Sequence, residues 1–139
     1  MKIVLDASAA LAAVLAQPKS AAILDALVSG SVVVAPDLFA AEVANALWKY
    51  VVAGEIGAAE ASEDLDACLG LVDRLVPAES VAQEALREAV VYKHPVYDLC
   101  YAIAARREGA SVLTLDARLQ KLLTKMHIPT VKLDVRRSS

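Results

Sequence analysis

Short apolar runs alternate along the chain with longer segments in which apolar residues recur every three or four positions. The runs lack a helical period, which is typical of strands buried on both faces of a parallel sheet. They cover residues 2–5, 32–35, 75–76, 111–115 and 130–133. Strands and amphipathic segments follow one another in turn, and this order predicts a three-layer α/β/α sandwich with a central parallel sheet.

The segments between the runs predict helices, and several of their ends carry start and stop signals. The predicted helices cover about residues 9–16, 21–28, 37–54, 57–72, 77–93, 96–108 and 117–125. Pro18 stops the first helix, Asp37 is expected to cap the start of the third, and Gly109 stands at the C-terminal cap of the sixth. We expect one domain over residues 1–134 and a short basic tail over residues 135–139.

Composition places the chain among globular proteins. Hydrophobic residues make up 58% of it, many of them alanine, and charged residues 22%, which favours packed helices and argues against disorder. The net charge of −3 is not that of a protein that coats nucleic acid electrostatically, although it is compatible with a local basic rim.

The sequence shows no sign of a secretory signal, a membrane span or a disulfide framework. Asp6 interrupts the N-terminal apolar run, and no stretch of about 20 apolar residues occurs, so we expect no membrane association. Cys68 and Cys100 lack metal-ligand spacing. We interpret both as reduced, buried thiols of a cytoplasmic protein, with a disulfide as the alternative.

Four acids stand at the ends of predicted elements. Asp6 ends the first apolar run and Asp116 follows the fourth, and ligands of open α/β sheets bind outside the carboxyl ends of strands. Glu42 lies one turn into a helix and Asp98 near the start of another, each between apolar neighbours. Grouped carboxylates are costly unless a cation or a shared proton compensates them. The four acids together therefore predict a site for a hard divalent cation, Mg²⁺ or Mn²⁺.

Each acid taken singly also has a structural interpretation. Asp98 and Asp116 suit helix N-caps, and Glu42 suits a solvated helix face. His94 and His127 are isolated, and we expect His94 to be a surface residue of a loop rather than a ligand.

Other polar residues share the elements that carry the acids. Ser8 and Thr114 lie two residues from Asp6 and Asp116, and their hydroxyls are candidates for orienting a water or binding phosphate. Asn45 and Lys49 share the helix face of Glu42. Asn45 is a candidate for holding that carboxylate or a metal-bound water, and Lys49 for meeting a substrate phosphate. Further rim candidates are Lys93, Arg118 and Lys121. For each of these hydroxyls and cations a plain structural or surface role is the alternative.

Four segments resemble the successive motifs of the PIN-domain ribonucleases, most of all the VapC-type toxins of prokaryotic toxin–antitoxin pairs. They are Val4–Ala9, Pro36–Leu38 with Glu42–Leu47, Tyr97–Ala104 and Leu113–Asp116. The resemblance implies Mg²⁺- or Mn²⁺-dependent endonucleolytic cleavage of RNA, with Asp6, Glu42, Asp98 and Asp116 forming an acidic pocket. It also implies a homodimer and a cognate antitoxin protein that covers the pocket.

Other functions remain open at this level. A non-toxin RNA-processing or DNA-repair nuclease has the same chemistry, and a non-catalytic PIN-like binding module has the same fold. An aspartyl phosphatase would carry a second acid two residues after Asp6, where Ser8 stands. A phosphoacceptor signalling domain needs adjacent acids after its first strand, and this chain has none there.

Overall fold

A computed structural model describes residues 1–30 and 32–134, so the predicted tail over residues 135–139 lies outside the described residues. The strands are β1 (Lys2–Leu5), β2 (Val32–Pro36), β3 (Arg74–Val76) and β4 (Ser111–Leu113). The helices are α1 (Ala7–Val14), α2 (Ser20–Ser29), α3 (Leu38–Val52), α4 (Ala58–Leu69), α5 (Ala78–Tyr92), α6 (Val96–Glu108) and α7 (Ala117–Lys125).

The strands form one parallel sheet in the order β3-β2-β1-β4. Val4 of β1 stands opposite Val34 of β2 on one side and Val112 of β4 on the other. The chain moves from β1 towards β3 through β2 and later returns to place β4 on the free side of β1. This reversal next to β1 is the position at which open α/β sheets bind ligands, outside the carboxyl ends of the strands.

Alternate residues of β1, β2 and β4 face two separate cores, which confirms the three-layer α/β/α sandwich. Ile3 and Leu5 pack in a core with residues of α1, α3 and α4, whereas Val4 packs in a core with residues of α5, α6 and α7. Cys68 and Cys100 are free and buried, one in each core, which confirms the reduced thiols. None of the described helices is long and apolar enough to cross a bilayer.

Ion pairs join the N-terminal ends of two strands to the last residue of α6. They lie at the edge of the sheet opposite the carboxyl ends of the strands. Glu108, the last residue of α6, bonds Lys2 at the start of β1 at 3.3 Å and also pairs with Arg74 at the start of β3. The two cations hold the pKa of Glu108 below its ordinary value, chiefly through the hydrogen bond from Arg74. We call this edge, defined by Lys2, Arg74 and Glu108, the amino edge.

Two predicted boundaries are wrong because site residues take over the backbone hydrogen bonds. The strand predicted over residues 111–115 ends at Leu113, since the N–H groups of Leu115 and Asp116 donate to the hydroxyls of Ser8 and Thr114. With the strand shortened, the predicted last strand over residues 130–133 is reduced to one parallel bridge between Thr130 and Val112.

Several helix ends and one predicted cap also differ from the predictions. Helix α1 begins at Ala7 because the carbonyl of Asp6 already accepts from Ala9 and Ala10. Helix α4 ends at Leu69 rather than at residue 72. Asp37 precedes α3, but its carboxylate accepts from the N–H of Ala78 at 3.0 Å and does not cap its own helix.

Candidate functional site

The predicted acids lie on elements that meet where the strands end. Asp6 directly follows β1 and Asp116 precedes α7. Burial raises the pKa of Asp6, and the charge of Asp116 raises it further. The pKa of Glu42 is also raised, first by burial and then by the charges of Asp6 and Asp98. These four carboxylates therefore share one electrostatic neighbourhood, which we call the acid edge.

Two hydroxyls hold the Asp6 carboxylate. Ser8 and Thr114 both donate to its Oδ2 at 2.7 Å, and Asp6 is only 7% exposed. A hydroxyl has one hydrogen, so the 3.3 Å contact between Ser8 and Thr114 has no proton left to share. Each hydroxyl also accepts a backbone N–H, from Leu115 and Asp116 respectively, both at 3.0 Å. In this structure Ser8 and Thr114 therefore position Asp6.

A buried tyrosine that the sequence patterns did not single out holds Glu42. The hydroxyl of Tyr101 donates to Oε1 of Glu42 at 2.6 Å, and Tyr101 is 1% exposed. Burial, followed by the charges of Glu42, Asp6 and Asp98, keeps the pKa of Tyr101 far above its ordinary value, so it stays a neutral donor. Asn45 is exposed and forms no hydrogen bond with Glu42 among the described residues.

A histidine holds Asp98, and the expectation that His94 is a surface residue is wrong. Its side chain is 12% exposed, and Nε2 lies 2.7 Å from Oδ2 of Asp98. The capping interpretation of Asp98 is also wrong, because α6 begins at Val96 and Asp98 stands in its first turn. His94 lies in the loop that precedes α6, so the helical spacing rule does not apply to it and the sequence gives no signal of this contact.

Asp116 has the capping role that was one of its two interpretations. Its Oδ1 accepts from the N–H groups of Arg118 at 2.8 Å and Leu119 at 3.2 Å, at the start of α7. The residue is exposed, unlike Asp6. Capping and an electrostatic contribution to the acid edge coexist in this residue, since the charge of Asp116 acts on Asp6.

The predicted basic rim residues are exposed side chains. They are Lys49, Lys93, Arg118 and Lys121. None of these four forms an ion pair with an acid in the described part of the chain, whereas Arg74, Arg106 and Arg107 are each paired with a glutamate. The rim cations are therefore free to meet an anionic ligand. Lys49 lines a cleft on α3 together with Tyr50 and Glu55.

The acid edge has suitable donors for a hard cation without a ready-made cage. Within residues 1–30 and 32–134, no three acidic, histidine or cysteine side chains are arranged so as to hold a metal ion. Side-chain hydrogen bonds between described residues nevertheless reach only one oxygen each of Asp6, Glu42 and Asp98. Carboxylate oxygen is the ligand that Mg²⁺ and Mn²⁺ prefer, and compensation by a cation would offset the burial and mutual repulsion of these charges.

Comparisons with known proteins identify the family of the chain. The family model described as PIN domain matches residues 3–123. The chain is 34% identical over 133 residues to Ribonuclease VapC3 of Pyrobaculum aerophilum, covering 93% of this chain and all of the relative. It is 34% identical over 119 residues to Ribonuclease VapC1 of Mycobacterium tuberculosis, covering 84% of this chain and 86% of the relative.

The fold has a solved counterpart as well. The crystal structure of PAE2754 from Pyrobaculum aerophilum superposes with a TM-score of 0.67 at 26% identity, and the match covers 91% of this chain and 90% of the other. A family match over most of the chain, two ribonuclease relatives and a structural neighbour all lead to one assignment. The chain belongs to the PIN-domain family and is similar to its VapC-type ribonucleases.

Proposed function

We propose that this protein is a metal-dependent endoribonuclease and the toxin of a toxin–antitoxin pair. The observation that carries the proposal is the acid edge, where Asp6, Glu42, Asp98 and Asp116 act on one another electrostatically at the strand ends. The names of the VapC relatives support the choice of RNA as substrate.

Asp6, Glu42 and Asp98, with Asp116 beside them, would hold Mg²⁺ or Mn²⁺. When bound, such a cation stabilises charge on phosphodiester oxygens and lowers the pKa of a water. The protein supplies the order of the site: Ser8 and Thr114 fix Asp6, Tyr101 fixes Glu42 and His94 fixes Asp98. Rotamers held by such neighbours keep a site close to its productive geometry.

The same acid edge explains why a partner would bind there. A partner that covers it has to bring positive charge, because excluding water from several carboxylates without compensation is strongly unfavourable. A cognate antitoxin with a basic segment meets that requirement. We further propose a homodimer, supported by large apolar side chains that lie exposed on α3 and α5. They are Trp48, Val52, Leu86, Val90 and Val91.

An RNA cleavage assay on the purified chain tests this function. The reaction is run with Mg²⁺, with Mn²⁺ and with EDTA, using single-stranded RNAs of varied sequence. We expect cleavage only with a cation, and a loss of roughly 100-fold or more in Asp98→Asn, since that change removes a charge facing the cation. The matched control is Asp66→Asn, an exposed acid of α4, which should cleave like the unmodified protein.

Near-normal cleavage by the folded Asp98→Asn variant would show that Asp98 has no role in the reaction. If no RNA is cut and calorimetry shows no binding of Mg²⁺ or Mn²⁺, the protein is a non-catalytic binding module instead.

A further inference from the structure

A polar cavity adjoins the acid edge, and the proposed chemistry does not use it. It has a volume of about 390 Å³, and the short segment over residues 130–133 forms one wall. Its polar lining residues are Lys19, Thr114, Gln120, Thr124, Thr130 and Lys132. We call it the lysine cavity, and we propose that it binds a backbone phosphate of the RNA next to the cleavage site. The inference rests on the proposed function for the identity of the strand.

One residue joins the lysine cavity to the acid edge. Thr114 donates its hydroxyl to Asp6 at 2.7 Å, and its backbone carbonyl accepts from Nε2 of Gln120 at 2.9 Å. Thr114 and Gln120 both line the cavity. Because Thr114 borders both sites, we infer that a nucleotide next to a phosphodiester bound over Asp6 would lie beside the lysine cavity.

The charge of the lysine cavity favours an anion. No acidic side chain lines it among the described residues, although the chain contains 17 aspartates and glutamates. Neither Lys19 nor Lys132 has a carboxylate within 4.0 Å in the described part of the chain, whereas Lys2 is paired with Glu108. An anion bound in the cavity would be attracted by both ammonium groups.

The neighbouring hydrogen-bond donors suit a phosphate. One N–H of the Gln120 amide is used by the Thr114 carbonyl, which leaves its second N–H available. The Thr124 hydroxyl is occupied with the carbonyl of Gln120 at 3.0 Å, while that of Thr130 has no hydrogen-bond partner within the described residues. The cavity therefore has hydrogen-bond donors on four lining residues, namely Lys19, Lys132, Gln120 and Thr130. It is also large enough for a phosphate with its ribose.

The lysine cavity also resolves an electrostatic difficulty of the acid edge. The carboxylates there repel the flanking phosphates of an RNA strand, and a chain of net charge −3 provides no general attraction. A cationic cavity one step along the strand offsets that repulsion. Phosphate contacts fix the register of a strand and carry no sequence information, so the cavity should strengthen binding of different RNAs equally.

Binding of a labelled single-stranded RNA, measured by fluorescence anisotropy in EDTA at several salt concentrations, tests this inference. The variants are Lys19→Glu, Lys132→Glu and the double variant. The control is Arg87→Glu, an exposed residue of α5 that makes the same charge change away from the cavity. We expect about tenfold weaker binding for each cavity variant. The slope of log affinity against log salt should shrink by about 0.7 for each phosphate that the protein no longer neutralises.

The proposed phosphate site is refuted if the cavity variants match Arg87→Glu in affinity and salt slope, or if the folded protein binds no RNA. Cleavage kinetics separate this result from failure of the nuclease. If Asp98→Asn abolishes cleavage while the cavity variants bind normally, the nuclease function is supported and the phosphate site is refuted. If the cavity variants lose binding but no cation-dependent cleavage is found, the cavity stands as an RNA site and the nuclease falls.

Discussion

Tyr101 is a residue whose hydroxyl serves the acid edge while its ring serves the core. The ring lies in the core with residues of α5, α6 and α7, and the hydroxyl reaches Glu42 on α3 from the opposite layer. Since Phe keeps the ring and loses the hydroxyl, this position allows chemistry to be tested with little disturbance of packing.

Tyr101→Phe should lower RNA cleavage and shift its pH dependence. The hydrogen bond from Tyr101 holds the pKa of Glu42 down against burial and the charges of Asp6 and Asp98. Without it the pKa of Glu42 rises further, so a higher pH is needed to ionise the carboxylate. We expect the rate to fall roughly 10- to 100-fold, as for other partners of metal-binding groups, and the acidic limb of the pH–rate profile to move upward.

Tyr97→Phe is the matched control, because Tyr97 lies on the same helix and is 68% exposed. Superimposable pH–rate profiles for the two Phe variants would show that the Tyr101 hydroxyl has no part in the reaction.

The acids could be found from the sequence, while two of their partners could not. Asp6 and Asp116 follow apolar runs, and Glu42 and Asp98 interrupt apolar helix faces, so local pattern is enough to notice them. Tyr101 meets Glu42 across 59 residues of sequence, and only the packing of two layers brings them together. The prediction for His94 is wrong because an isolated histidine before a proline carries no sign of burial.

At the scale of elements, Gly109 ends α6 and turns the chain into β4. Its φ is +63°, in the left-handed region, and the N–H of Ala110 closes the turn on the carbonyl of Ala105 at 2.9 Å. A Cβ added at this position would meet no described atom within 4 Å. Any cost of an added side chain is therefore a backbone cost.

Gly109→Ala should destabilise the fold by about 1 kcal/mol, the usual cost of placing an L-residue in this region. Thermal unfolding followed by circular dichroism should show a midpoint lower by roughly 3–5 °C. Gly109→Asn is the control, because asparagine tolerates the left-handed region better and should lose less. Equal midpoints for Gly109→Ala and the unmodified protein would mean that the turn relaxes to negative φ.

Elements marked by local signals were predictable, and those that depend on a distant partner were not. Gly109 and the apolar spacing of α7 gave boundaries that the structure confirms. Aspartate is a common N-cap residue and Asp37 directly precedes α3, but its carboxylate accepts instead from the N–H of Ala78, 41 residues later at the start of α5. The segment over residues 130–133 has the apolar pattern of a strand, yet its pairing ends after Val112, because the carbonyl of Thr114 accepts from Gln120 and the N–H of Asp116 donates to the Thr114 hydroxyl.

At the scale of the whole molecule, the acid edge should cost stability. Asp6→Asn removes a buried charge and keeps an oxygen that accepts from Ser8 and Thr114. We expect this variant to unfold with a free energy about 1 kcal/mol higher at neutral pH, while its RNA cleavage is lost. Urea denaturation at pH 7 measures the difference.

The difference should depend on pH with a definite sign. The pKa of Asp6 in the folded state lies above 3.8, because burial disfavours its charged form. Between pH 3.8 and the folded pKa, the folded state therefore binds more protons than the unfolded state. The contribution of Asp6 to the unfolding free energy therefore falls as pH rises from about 3.8 through the folded pKa. The advantage of Asp6→Asn should be full above that pKa and vanish below the window. A constant advantage at all pH values would contradict a cost that arises from charge.

The amino edge and the acid edge lie at opposite ends of the same parallel strands, and they place different demands on the chain. Glu108 with Lys2 and Arg74 fastens strand beginnings and touches no residue of the proposed reaction. In a library of random variants sorted for heat resistance and for RNA turnover, substitutions at the two edges should fall into largely separate groups. A protein built in this way can adapt to a new growth temperature by substitutions at the amino edge, while the acid edge and its RNA target stay unchanged.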